Sequence, residues 1–144
     1  MARFLRMLVA VVLGLVVGSV VNMSLIMVGG KVIAPPAGAD VTTMEGLKAS
    51  LHLFEARHFV FPFLAHALGT LAGAAVAALL APDGSAGLAY AVGIVFLLGG
   101  IANVVMLPAP VWFCAVDLLL AYLPAAWLGR SGVARLRAAR AGTA

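Results

Sequence analysis

Four apolar stretches, at about residues 5–30, 58–81, 86–107 and 109–128, leave this 144-residue chain few ways to fold. Each approaches or exceeds the ~20 residues that a helix needs to cross a hydrocarbon core ~30 Å thick. The composition agrees: 65% of the residues are hydrophobic and only 10% are charged. Soluble domains average roughly 45–50% apolar and about 25% charged, so an ordinary water-soluble core is excluded. The first stretch has one feature of a secretion signal, because Ala37-Gly38-Ala39 resembles a cleavage site. Its apolar run is nevertheless far longer than the ~7–15 residues of a signal core, and a retained helix is expected. A single cysteine, Cys114, excludes an internal disulfide and any thiolate cluster.

The connections between spans are short and rich in turn formers. Ala81-Pro82-Asp83-Gly84-Ser85 and Pro108-Ala109-Pro110 predict tight turns and therefore antiparallel neighbours. Charge sets the orientation. Arg3 and Arg6 open the chain, and Arg130, Arg135, Arg137 and Arg140 close it. The positive-inside rule puts both ends in the cytoplasm, with residues 1–129 as the membrane domain and 130–144 as a basic tail. No nucleic-acid partner is expected, because the arginines accompany no reading module.

The fold class is thus an all-α membrane protein, an antiparallel four-helix transmembrane bundle. Its first extracytoplasmic loop, residues 31–57, contains much of the remaining charge. Pro35 and Pro36 break any helix there. Thr42-Thr43-Met44-Glu45 has capping-box spacing, which predicts a short amphipathic helix over 43–55 leading into the second span. Met44, Leu47, Leu51 and Phe54 fall on one of its faces, as an interfacial anchor requires.

Function is sought where polarity interrupts the lipid-facing pattern. Asp117 stands between Val111–Val116 and Leu118–Leu120, where an ionisable group costs roughly 2.5–3.5 kcal/mol on insertion scales. Asn22, His66 and Asp117 each lie about eight residues, or about 12 Å, inside the extracytoplasmic end of a span. Asn103 lies about four residues inside the third. Helical spacing puts Gly14 and Gly18 on the face of Asn22, and Gly69, Gly73 and Thr70 near that of His66. Ala65, Gly69, Gly73 and Ala77 form a small-residue ridge suited to close helix contact. Pro62 and Pro124 free backbone carbonyls in the second and fourth spans, which such chains tolerate beside polar side chains or water. The expectation is a polar pocket of Asn22, His66, Asn103 and Asp117, with Glu55 and His58 at its mouth.

Each of these residues has a plainer reading. Asp117 can simply bond His66, Asn22 or Asn103 and fix helix register, the asparagines can be helix-to-helix glue, and Thr70 can bond its own backbone. Glu55-Ala56-Arg57-His58 has the Glu-x-x-His spacing of helical metal sites, but one such pair falls short of a ligand set. His58 and His66 are about 12 Å apart along a straight helix, too far to share an ion. No metal is expected, and the residues name no cofactor. Ser24 could approach His66 and Asp117 as a nucleophile, but no elbow motif surrounds it. The leading expectation is a pocket that binds or transports a small molecule or lipid-like ligand, with Asp117 and His66 exchanging a proton. The alternatives are a membrane-embedded enzyme acting on a lipid or isoprenoid, and an assembly protein without a ligand. Membrane lipids are the constant partners, and the small-residue ridges also fit a homo-oligomer.

Three stretches, Ser19–Gly30 (SVVNMSLIMVGG), Leu51–Thr70 (LHLFEARHFVFPFLAHALGT) and Gly99–Leu118 (GGIANVVMLPAPVWFCAVDL), resemble a group of small four-span bacterial inner-membrane proteins of uncharacterised function. The resemblance covers most of the chain up to Gly129. It implies a bacterial inner-membrane location and assigns a role to no residue.

Overall fold

The structure, a computed structural model, describes residues 1–82 and 86–142. The described residues form six α-helices: α1 (Ala2–Val32), α2 (Met44–Ser50), α3 (Val60–Leu80), α4 (Ala86–Met106), α5 (Val111–Leu120) and α6 (Leu123–Ala141). Short 3₁₀ turns at Leu51–Leu53 and Ala56–Phe59 connect α2 to α3. Four helical stretches are long and apolar enough to cross a membrane: α1, α3 with its leading turn, α4, and α5 with α6. Their outward faces are apolar too, as Val12, Val16 and Val20 of α1 and Ile94, Val95 and Leu98 of α4 illustrate. A helix apolar all round suits lipid as its solvent.

Helix α3 is the centre, packed against α1, α4 and α6. Its small-residue ridge is what lets α1 in. Gly14 lies against Gly73 and Gly18 against Gly69, so residue numbers rise along one helix as they fall along the other. A Cβ added at Gly73 would come 2.6 Å from the Gly14 carbonyl oxygen, which makes this a backbone-to-backbone crossing. Ala10, Ala77, Ala81, Leu88 and Val92 continue the packing between α1, α3 and α4, while Ala74, Ala78, Ala89, Ala126 and Val133 join α3, α4 and α6.

Within the described residues the basic segment after Gly129 is helical, and α6 continues through it to Ala141. Arg137 explains part of that. Its Nη2 donates to the carbonyls of Ala78 at 3.0 Å and Leu79 at 2.9 Å, in the last turn of α3. Those carbonyls have no partner in their own helix, and a cation there also suits the helix dipole. Arg137→Met keeps the apolar stem and removes both bonds. It is expected to lower stability by about 1 kcal/mol, read as a reduced melting temperature in detergent.

Three local expectations are corrected. The cap of α2 is Thr43, whose hydroxyl accepts from the Gly46 N–H at 2.9 Å, one residue later than the Thr42–Glu45 box. Thr42 instead bonds Asp40: its N–H and hydroxyl both reach Oδ1, at 2.8 and 2.6 Å. Those donors hold the Asp40 carboxyl below its usual range. The helix expected over 43–55 is also interrupted, because Phe54 and Glu55 are extended between the two 3₁₀ turns. Pro62, for its part, breaks nothing. It lies in the first turn of α3, where its missing N–H has no intrahelical acceptor to lose.

Candidate functional site

Asp117 is 3% exposed, and two side chains from different elements reach it. His66 of α3 places Nδ1 2.8 Å from Oδ1 and 2.9 Å from Oδ2. Tyr122, between α5 and α6, donates its hydroxyl to Oδ2 at 2.9 Å. The two rings stack on each other, with centroids 5.7 Å apart and planes inclined by 27°. Tyr122 is one donor to the carboxyl group, and His66 is a second in the tautomer that carries its proton on Nδ1. Asp117 thereby fixes both rings.

Tyr122 reaches Asp117 because the fourth span is broken. Five residues further on in an unbroken helix, a side chain points about 140° away around the axis. Pro124 has no N–H to give the Leu120 carbonyl, and its ring crowds that turn. Helix α5 therefore stops at Leu120, α6 restarts at Leu123 with Pro124 in its first turn, and Tyr122 turns inward to 2% exposure. Glycine at position 100 completes the fit, since a Cβ there would collide with the Tyr122 ring and hydroxyl.

In front of the two rings lies a cavity of about 250 Å³. Its polar lining is Asn22, His66, Asn103 and Tyr122, and its apolar lining is Phe96, Gly99, Gly100, Ala102 and Met106. Three of the four residues expected to form a pocket thus line one. Asp117, the fourth, does not line it and acts from behind through His66 and Tyr122. A second cavity of about 220 Å³, beside Phe59, Phe63, Trp112 and Phe113, has only apolar and aromatic lining residues.

Glu55 and His58, expected at the mouth of the pocket, are not among the lining residues of either cavity. They belong to the turn before α3. The Glu55 N–H donates to His58 Nδ1 at 3.0 Å, and the His58 ring meets Phe54 edge-on. The Glu55 carboxylate pairs with Arg57 at 3.0 Å, both side chains being 66% exposed. An exposed pair of this kind contributes little to stability. Among the described residues no three His, Cys, Asp or Glu side chains converge as metal ligands. Ser24 does not line the cavity, and its exposed hydroxyl donates to the Val20 carbonyl at 2.7 Å. Thr70, expected to bond its own backbone, makes no such bond; its buried Oγ1 has no hydrogen-bond partner.

Chemically, the arrangement orients two acceptors. Tyr122 gives its only proton to Asp117, and His66 in its Nδ1–H tautomer donates to the same carboxyl group. What a neutral His66 retains is the Nε2 lone pair, and Tyr122 retains lone pairs on oxygen. Asn22 and Asn103 each add a carboxamide able to donate or accept. No family model matches the chain, and no curated protein or solved structure matches it.

Proposed function

We propose that this chain is a multi-pass protein of the bacterial inner membrane whose polar cavity binds or transports a small molecule or lipid-like ligand. The observation that carries the reading is the buried Asp117 carboxylate, which holds the His66 and Tyr122 rings at the edge of a cavity also lined by Asn22 and Asn103. Burying an ionisable group among helices of this apolarity is unfavourable unless its partners repay it, and such groups mark ligand or proton paths. In this reading the four spans form an antiparallel bundle with both termini cytoplasmic, and the cavity belongs to the periplasmic half. The α2 helix is an amphipathic anchor at the interface. Asp117 and His66 exchange a proton as the ligand comes and goes, since a hydrogen-bonded carboxylate and imidazole can share one.

The experiment is native mass spectrometry of the protein extracted gently from its own membranes, beside Asp117→Asn. The expected result is a stoichiometric adduct on the wild type that the variant loses. Equal spectra from both proteins, each folded, would remove the support for a bound ligand. A second reading rests on the same His66–Asp117 bond, because a carboxylate on Nδ1 is how a general base is oriented. It requires that lipids extracted from the membrane be turned over by the wild type and not by Asp117→Asn.

A further inference from the structure

We propose that the ligand of the cavity is a protonated amine with a small apolar body. The inference rests on the binding reading above and adds the chemical class that the site selects. Three observations carry it. First, the ionisable side chain at the centre of the site is a carboxyl group. Asp117 lies one hydrogen bond behind the lining, and the lining contains neither lysine nor arginine. A buried carboxylate repels an anion at short range and leaves room for a cation to compensate it.

Second, the two oriented rings turn acceptors to the cavity. Tyr122 donates its hydroxyl to Asp117, so its oxygen offers only lone pairs, and Nε2 of His66 does the same in the tautomer that donates Nδ1–H to the carboxyl group. An ammonium group brings donors and no lone pair, and so complements both. A phosphate or carboxylate brings acceptors and would set lone pair against lone pair. Asn22 and Asn103 can turn either end of a carboxamide toward the ligand and do not oppose the choice.

Third, size and apolarity limit the rest of the molecule. About 250 Å³ is below the ~300–1,000 Å³ of sites for drug-sized ligands. Phe96 and Met106 give that volume an apolar wall. A short alkylamine fits, whether free or as the ammonium headgroup of a lipid whose chains remain in the bilayer.

Equilibrium dialysis of labelled n-butylammonium against the full chain in detergent tests the class, with butanol and butyrate as uncharged and anionic competitors. Gly99→Phe supplies a plug, because Gly99 lines the cavity yet has no atom within 4 Å of an added Cβ. Saturable binding, at least tenfold weaker in Asp117→Asn, lost in Gly99→Phe and resisted tenfold better against butyrate and butanol, is the expected result. Retention of phosphatidylethanolamine in preference to phosphatidylglycerol from mixed nanodiscs, again lost in Gly99→Phe, assigns the amine to a lipid headgroup. Butyrate or butanol bound as well as butylammonium, and excluded by Gly99→Phe, overturns the amine class and leaves the pocket reading standing. A folded wild type that retains none of these probes and no lipid overturns both.

Discussion

Replacing Gly73 with leucine is expected to push α1 off α3 and destabilise the protein by about 3 kcal/mol or more. The position allows no easier outcome. An added Cβ would stand 2.6 Å from the Gly14 carbonyl oxygen and 3.2 Å from Val92. The first neighbour is backbone, which cannot rotate out of the way. Overpacking a tight core typically costs about 1–3 kcal/mol, and more where the obstacle is rigid. The reciprocal change, Gly14→Leu, meets the Gly73 carbonyl at 2.7 Å and is expected to behave alike. The control is Gly30→Ala, at a helical glycine with nothing within 4 Å, where alanine is expected to gain about 0.5–1 kcal/mol from helix propensity. Unfolding in mixed detergent micelles, titrated with dodecyl sulfate, measures all three. Gly73→Leu as stable as Gly30→Ala would mean that α1 does not cross α3 here.

This crossing was legible in the sequence because it depends on one quantity, the four-residue spacing of small side chains on a helix. Ala65, Gly69, Gly73 and Ala77 follow that spacing, and all four are buried. The spans were legible for the same reason: length and apolarity alone delimit them. Asn22, His66 and Asn103 could be brought to one cavity by counting residues from span ends. What counting could not supply was Tyr122. In a straight helix it lies far from the Asp117 face, and only the break before Pro124 brings it back. A sharper signal existed, since a buried carboxylate needs more than one donor and a proline seven residues on re-aims the chain between. Glu55 and His58 are a different case. Their spacing suits a helix, but the local chain is a 3₁₀ turn that uses the imidazole to satisfy the Glu55 N–H.

Asp117→Leu is expected to cost about 3–5 kcal/mol, the usual consequence of removing one member of a buried polar set. The loss comes mainly from what remains. The hydroxyl of Tyr122, 2% exposed, and the Nδ1–H of His66 would both lose their acceptor, at about 1–3 kcal/mol for each buried donor left unpaired. If all three polar groups are replaced together, as Asp117→Leu, His66→Leu and Tyr122→Phe, no donor is stranded and most of the stability should return. The three effects are therefore strongly non-additive, as expected for groups in one hydrogen-bonded network. Melting curves of the single and triple variants in one detergent measure this directly. A single variant within about 0.5 kcal/mol of wild type would mean that Asp117 does not hold the rings. A triple variant that regains stability but loses the adduct seen by native mass spectrometry would assign the set to a ligand. An apolar trio can hold these helices together, so a polar trio kept for packing alone would lose nothing in the exchange.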